Sequence, residues 1–576
     1  MSEPVQQAVD LEQLLGYSLA TDSPDALART QAVSGAPLQP TNPTSLLSYR
    51  SQGSLLIIGS GEHALQQARQ LKDKLRCTVL MTGLGNAPEV RQTPCPSDKF
   101  EVVYGRILKL AGHLGQFKVD VELDGKTVNL AQTLDKNREH FDLVLDLGAS
   151  PQLTHQTLPF GYYATGDQAS ELHRALAEIP ELVGEFEKPK YFSYNADICA
   201  HGASGVSGCT RCLDACPTDA IRSVGEKIEV DPYLCQGGGS CATACPTGAI
   251  IYAYPSPSDL IAQVKALVQR YHEAGGSTPR LLFHDTEVGR EWVSQVAAKL
   301  PSNVIPIVVE EVGSVGLDTW LAAIAYGVTQ INVLCPPSVA AKVRTELVSQ
   351  NEYVVALLQG LGYPEDLVQI CAPDSPAKVL DCLDREPTPV TIEPATFVSF
   401  DEKRTTLRMA LDHLYSHAPT PQTIVALPSG APFGEIQVDK ECCTLCMACV
   451  SVCPAAALSD GGDAPRLSLV EWNCVQCGIC ESACPEDAIT RYPRMVFDTE
   501  IRRQSRVLNE EQPFQCISCG KAFATQSVMQ RMQEKLKEHW MFQKPESLRR
   551  LQMCEDCRVK DMFVQEGGMV DTRRES

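Results

Sequence analysis

Residues 443–485 read CTLCMACVSVCP, then nineteen residues, then CVQCGICESACP. Each half has the spacing C-x2-C-x2-C-x3-C followed by proline. Neither a disulfide framework nor buried cysteines used as small hydrophobes calls for eight cysteines in that register. Such short spacings bring three thiolates to a metal group from one tight loop, whose backbone N–H groups can donate to sulfur. The compartment agrees. The N-terminus, MSEPVQQAVDLEQLLGYS, is acidic and has no basic and apolar leader pattern, so the chain is expected to be cytoplasmic. In a reducing cytosol its 25 cysteines point to metal ligation rather than to disulfides.

Over about fifty residues this pattern resembles the bacterial two-cluster ferredoxins. In that family the fourth cysteine of each half ligates the cluster of the other half. The resemblance therefore implies one 4Fe-4S cluster on Cys443, Cys446, Cys449 and Cys484, and a second on Cys474, Cys477, Cys480 and Cys453. Cys442 is out of register. Pro454 and Pro485 end the two loops, and Asp460-Gly461-Gly462-Asp463 reads as the turn between the halves.

Residues 199–250 carry an irregular copy of the same unit. In ICAHGASGVSGCTRCLDACP, Cys209, Cys212 and Cys216 keep the last three positions, but Val206 stands where the first cysteine belongs. Cys199 lies ten residues before Cys209, and the span between them holds Gly202, Gly205 and Gly208, enough freedom to loop Cys199 back as the missing ligand. In CQGGGSCATACP, Cys235, Cys241 and Cys245 are in register and Gly238 replaces the second cysteine. By the ferredoxin rule one site takes Cys199, Cys209, Cys212 and Cys245, the expected place of a third 4Fe-4S cluster. The other is left with Cys235, Cys241 and Cys216. Three thiolates suit a 3Fe-4S cluster, or an incomplete 4Fe-4S cluster whose fourth iron takes a non-cysteine ligand or solvent. His201 is an alternative ligand, although a lone loop histidine is usually solvated.

Towards the C-terminus, PFQCISCGKAF and QMCEDCRVKDMF place Cys516, Cys519, Cys554 and Cys557 as two C-x2-C knuckles thirty-four residues apart. Four thiolates in that pattern fit a tetrahedral ion, most simply zinc, with an iron–sulfur site or a redox dithiol as the alternatives. Met529, Met532, Leu536 and Trp540 between them read as an apolar helical stripe, that is, as packing.

The rest of the chain reads as α/β patterning. SLLIIGSGEHALQQARQL gives a strand, a Gly turn and a helix from Ser54; CTVLMTG and FDLVLDLG follow as strands. Gly59-Ser60-Gly61 imitates a dinucleotide fingerprint, but the second strand does not end on an acidic residue, so a structural turn is expected. Cys77 and Cys95 are isolated. From Ser258, the expected N-cap of a long helix, strands and helices alternate strictly, which predicts crossovers and a parallel sheet. Cys335, Cys371 and Cys382 lie there as buried small residues. Within this region VEEVGSVGLDTWLAAIAYGVTQINVL distantly resembles the delta-subunit domain of methyl-viologen-reducing hydrogenase, which implies a fold and no site residues.

The resulting layout is a multidomain α/β and α+β chain: a flexible arm at 1–50, an α/β domain at 51–190, an irregular dicluster ferredoxin module at 191–254, an α/β domain with a parallel sheet at 255–395, a linker at 396–435, a dicluster 4Fe-4S module at 436–495 and a four-cysteine metal knuckle at 510–565. A net charge of −21 excludes nucleic acid, suits docking on basic surfaces of redox protein partners, and equally suits simple solubility. No apolar run is long enough for membrane insertion. The expected function is electron transfer through several iron–sulfur clusters between redox partners. The alternative is an electron-relay subunit of an oxidoreductase, such as formate dehydrogenase or a flavin-dependent reductase, with a substrate or flavin site in an α/β domain. PFQCISCGKAFAT and MCEDCR resemble polyferredoxin-type proteins associated with formate dehydrogenase.

Overall fold

The computed structural model describes residues 15–35, 45–82, 100–123, 125–462, 464–543 and 545–565. Cys95, Asp463, most of Leu11–Leu15 and the polar C-terminal end lie outside the described residues.

Strand Ser54–Gly59 is buried along its whole length, the mark of a strand covered on both faces. It sits at the centre of a five-stranded parallel sheet whose spatial order is Glu101–Tyr104, Arg76–Met81, Ser54–Gly59, Leu143–Asp146, Tyr162–Ala164. Leu55 and Ile57 belong to the core on one face, Leu56 and Ile58 to the core on the other. The glycine turn after this strand serves packing: a Cβ at Gly59 would lie 3.1 Å from the Cβ of Ala64, so its absence lets helix Gly61–Leu71 approach. A three-stranded antiparallel insert, Arg106–Ala111, Lys118–Leu123 and Lys126–Asn129, covers one face. Its strand KVDVEL alternates, burying Val119, Val121 and Leu123 on one face.

A second, four-stranded parallel sheet has the order Val304–Val308, Arg280–His284, Gln330–Leu334, Val368–Cys371. Helix Leu317–Ala325 is buried on every side, with Trp320 fully enclosed. Helix Pro257–Glu273 begins two residues earlier than expected. Ser256, not Ser258, caps it, accepting from the Asp259 N–H at 3.1 Å, because Pro257 is preorganised for the first helical position.

Two segments expected to be loose are part of the core. Residues 15–35 are not a flexible arm: helix Pro24–Gly35 packs on helix Pro257–Glu273, and the enclosed Arg29 donates to the carbonyls of Ala20, Pro301 and Val304. In the supposed linker, TTLRMALDHLYSH reads as a short helix; it forms helix Lys403–Ser416, which buries Leu407, Ala410, Leu411 and Leu414 against helix Leu317–Ala325.

The two cysteine-rich units share one frame. In each, the entering and leaving strands pair antiparallel: Phe192–Tyr194 with Ile250–Tyr252, and Gly434–Val438 with Ile489–Val496. In each, a hairpin separates the halves: Ile221–Val224 with Lys227–Val230, and Leu458–Gly461 with Ala464–Val470. Strand Ser505–Glu510 extends the second hairpin and leads into the tail. No helix among the described residues is long and apolar enough to cross a membrane.

Candidate metal centres

In the 443–484 unit each cysteine loop is bent by residues in the left-handed region: Leu445 and Met447 (φ 55° and 62°), then Gln476 and Gly478 (54° and 86°). Non-glycine residues adopt this conformation at a cost and keep it where their surroundings impose it. The bends gather the thiols into two groups. Cys443, Cys446, Cys449 and Cys484 line a cavity of about 350 Å³ whose walls include Leu445, Leu467 and Ile489. Cys453, Cys474, Cys477 and Cys480 line a second of about 380 Å³, walled by Ile436, Leu458, Leu469 and Ile479. The backbone N–H groups of Ala457 and Ala488 donate to the sulfurs of Cys453 and Cys484, each at 3.3 Å, and the Gln476 amide donates to Cys474 at 3.4 Å. Burial, then the neighbouring thiols, push Cys449 up to about 12. Burial pushes Cys477 up to about 11, with Cys474 and Cys453 adding to it. Thiols this hard to ionise give up their protons to a metal group, so occupancy and deprotonation are linked. Four sulfurs around one apolar hollow, with amides aimed at sulfur, fit a polynuclear iron–sulfur group.

The irregular unit reaches a similar arrangement by another route. Gly202–Ala203 and Val206–Ser207 form a tight hairpin turned by Ser204 and Gly205 (φ 53° and 75°). Gly208 and Cys209 then donate to the carbonyls of His201 and Ala200. The hairpin thus returns the chain to Cys199, and Cys199, Cys209, Cys212 and Cys245 line one cavity of about 320 Å³. His201 is buried rather than solvated, and both its ring nitrogens are engaged, with the Cys209 carbonyl at 2.9 Å and the Ser223 hydroxyl at 2.7 Å.

The loop from Cys235 to Cys241 bends at Gly237 and Gly239 (φ 81° and 75°), the same two positions as in the complete loops. The backbone therefore keeps the cluster-loop shape although Gly238 stands in the middle. Here glycine is also demanded by a neighbour: a Cβ at Gly239 would lie 2.4 Å from the Ser314 nitrogen, so the turn Val312–Ser314 presses directly on this loop. Gly238 itself has a little more room, its Cβ position standing 3.2 Å from Pro217 Cγ. Burial holds the Cys241 thiol far above its usual range, with Cys235 and Cys216 adding to it, and then Cys212 and Cys245 of the neighbouring group.

The two units touch through these groups. A Cβ at Gly208 would lie 2.9 Å from Ile479 Cβ, and Arg211 donates to the Gln476 carbonyl at 3.4 Å. Burial dominates the shift at Cys477, yet Cys209 across the junction contributes to it as well. Neighbouring cysteine groups are thus linked in series, 216/235/241 to 199/209/212/245 through Cys241, the latter to 453/474/477/480 through Cys209 and Cys477, and these to 443/446/449/484 through Cys480 and Cys449.

Beyond the last lies the tail. Its sulfurs, Cys516, Cys519, Cys554 and Cys557, all fall within 4.8 Å of one another, and Cys519 and Cys554 are 3.7 Å apart. A tetrahedral ion with bonds of about 2.3 Å separates its sulfurs by about 3.8 Å, so the group fits a single ion. Burial works against the Cys516 thiolate, but N–H groups of Cys554, Cys519 and Ser518 directed at the sulfur hold its thiol down at about 6. The tail leans on the neighbouring unit through Thr525, which donates to the Thr444 carbonyl at 3.0 Å, and through Arg531 on Glu486. The expected apolar stripe is only partly packed: Met529 is buried, but Trp540 lies beyond helix Gln526–Leu536 and is exposed.

Side chains with no sequence signature also surround the cysteines. Lys188 Nζ donates to the Cys235 carbonyl at 2.7 Å, Lys342 Nζ to the Cys216 carbonyl at 2.8 Å, and Lys403 Nζ to the Cys245 carbonyl at 3.1 Å. Each comes from outside the 191–254 stretch, which is why no local motif reveals it. Cys382 and Cys371 are also neighbours: the Cys371 thiol holds that of Cys382 down at about 7.

Residues 207–249 match a family described as a 4Fe-4S dicluster domain, and residues 440–489 match a second family of the same description. No curated protein matches the chain. The chain thus contains two 4Fe-4S dicluster domains, which support an iron–sulfur, electron-transferring protein. The first match begins at residue 207 and so does not include Cys199.

Proposed function

We propose that the chain is an electron carrier that holds four iron–sulfur clusters in line and exchanges electrons with redox protein partners. The observation that carries this reading is the junction at Gly208 and Ile479, which makes two dicluster units into one uninterrupted series of thiol groups. Cys443, Cys446, Cys449 and Cys484 hold one 4Fe-4S cluster; Cys453, Cys474, Cys477 and Cys480 hold the second; Cys199, Cys209, Cys212 and Cys245 hold the third. Cys216, Cys235 and Cys241 hold a 3Fe-4S cluster, the form that needs no fourth thiolate where Gly238 stands. Cys516, Cys519, Cys554 and Cys557 hold zinc as a structural brace. When bound, the clusters supply one-electron redox chemistry; the chain supplies thiolates, dry walls and amide donors.

The acidic composition suits basic docking faces on cytoplasmic partners, and the resemblance of the tail's cysteine motifs to formate-dehydrogenase-associated proteins supports an oxidoreductase of that class as a partner. Anaerobically purified protein tests the assignment. We expect about fifteen irons per chain, one zinc that survives iron chelation, and bleaching of the visible absorption by dithionite. Iron for two clusters alone would refute the assignment at 199–245. Flavin bands would move the reading to an oxidoreductase subunit with its own active site, and anaerobic affinity capture would identify the partner.

A further inference from the structure

The two dicluster units can be compared at equivalent positions. After the fourth cysteine of each half the sequence runs Cys216-Pro217-Thr218 and Cys245-Pro246-Thr247 in the irregular unit, but Cys453-Pro454-Ala455 and Cys484-Pro485-Glu486 in the regular one. Thr218 lies 3.4 Å from the Cys216 sulfur and Thr247 3.5 Å from the Cys245 sulfur. With the sulfur deprotonated as a ligand, each hydroxyl is the donor. The regular unit offers a methyl group and a carboxylate at these places.

The carbonyls of the same four cysteines differ in the same sense. Those of Cys453 and Cys484 accept from the backbone N–H groups of Ala456 and Asp487. Those of Cys216 and Cys245 accept from the ammonium groups of Lys342 and Lys403, and that of Cys235 from Lys188. Lys403 is buried and gives its other hydrogen bonds to the carbonyls of Ala242 and Thr243; Glu346 is among the acidic groups it acts on, and Asp318 and Asp401 line the same cavity. Lys342 shares its charge with Asp219 at 2.8 Å; burial lowers the Lys188 ammonium to about 8, against the opposing pull of Cys235 and then Asp231. Glu310 and Glu311 act on Tyr191 and Tyr252; burial raises both carboxyls, that of Glu311 to about 8. Around the regular unit Arg404 faces Cys474, while Arg491 is paired with Glu481 and Arg531 with Glu486.

We infer that Lys188, Lys342 and Lys403, with Thr218 and Thr247, poise the 199–245 unit at a higher reduction potential than the 443–484 unit, so that this chain has a built-in electrical polarity and its irregular unit is the electron-accepting end. The physical ground is general: positive charge and hydrogen bonds directed at a cluster's ligands stabilise its reduced, more negative state. The inference rests on the ligand assignment proposed above.

The test is an EPR-monitored redox titration of the full-length holoprotein, with signals of the regular unit's two clusters identified by their loss in Cys449→Ser and in Cys480→Ser. The wild type should show the 199–245 signals reduced first. Lys403→Met should shift their reduced-to-oxidised ratio at fixed potential about tenfold towards oxidised, a fall of about 59 mV for a one-electron couple, and leave the 443–484 signals in place. Lys403→Arg should restore most of it. Because a buried lysine can be needed for folding, Thr247→Val and Lys188→Met serve as independent variants, each with a smaller fall confined to the same unit. Midpoints that do not move, that move equally in both units, or a wild type in which the 443–484 signals reduce first would overturn the inference. Absence of clusters from 199–245 in the wild type would overturn the ligand assignment, and the inference with it.

Discussion

The unit at 443–484 and the unit at 199–245 use one backbone frame to different ends. The regular copy keeps every cysteine and tunes them mostly from within, by its own amides and by Gln476. The irregular copy has lost cysteine at two of the eight motif positions, to Val206 and Gly238, and recovers one through a hairpin that returns Cys199. It is also held by its surroundings: Lys188 from one α/β layer, Lys342 and the Val312–Ser314 turn from the other, and Lys403 from the helix after it. A cluster unit embedded in this way is free to depart from the motif, because its neighbours supply what the loop no longer does.

The largest expected effect comes from testing the recovered ligand. Cys199→Ser should remove one cluster, about four irons per chain, and leave the 443–484 signals intact, as read by iron assay and EPR. Unchanged iron would mean that the hairpin cysteine is a bystander and that the two units differ by more than poise. Next comes Gly238→Cys, which makes the copies alike. Its Cβ would meet Pro217 Cγ at 3.2 Å, a contact that a shift of a few tenths of an ångström relieves. We expect one more iron per chain and loss of the 3Fe-type EPR signal. If the oxidised 3Fe signal persists, the thiolate count is not what sets the cluster type.

A smaller effect is expected at the junction. Gly208→Ala would put a methyl group 2.8 Å from the Ala200 carbonyl oxygen and 2.9 Å from Ile479 Cβ, straining the irregular unit's hairpin and wedging the units apart together. Overpacking of this kind costs about 1–3 kcal/mol. The thermal midpoint of the holoprotein should fall and electron equilibration between the units should slow, seen by freeze-quench EPR after sub-stoichiometric reduction. Unaltered equilibration would separate electrical contact from steric contact.

How much of this was legible in the sequence divides along the same line. The regular unit was legible because its eight cysteines, their spacing and the following prolines are local. Both parallel sheets were legible because buried strands such as Leu55–Ile58 and Leu281–Phe283 are continuous apolar runs. The irregular unit was legible in its cysteines and hidden in its supports. Lys188, Lys342 and Lys403 stand up to 161 residues from the groups they hold, and nothing in their own neighbourhoods distinguishes them from solvated lysines. The arm was misjudged for a related reason. Its Pro, Ser and Thr content reads as loose chain, while the alanine face of Pro24–Gly35 acquires its partner only when helix Pro257–Glu273 is in place. Ser256 was missed as a cap because Pro257 moves the helix start, a shift of two residues with no consequence for the fold.

The finest comparison concerns one polar side chain beside the cysteines of each unit. Tyr194 lines the cavity of Cys199, and its hydroxyl accepts from the Ile228 N–H at 3.4 Å; in the regular unit the Gln476 amide donates to the Cys474 sulfur at 3.4 Å. Neither side chain belongs to the cysteine motif, and each can be replaced by an apolar residue of similar size. A net hydrogen-bond contribution of about 0.5 kcal/mol corresponds to roughly a twofold change in the reduced fraction at fixed potential. Tyr194→Phe should lower the midpoint of the irregular unit alone and so narrow the gap between the units. Gln476→Leu should lower that of the regular unit alone and so widen it. Opposite movements of one gap, from two substitutions on opposite sides of the Gly208–Ile479 contact, would show that the polarity of the chain is set separately in each unit. Movements of the same sign would mean that the two units titrate as one electrostatic body, and that the poise belongs to the assembled molecule.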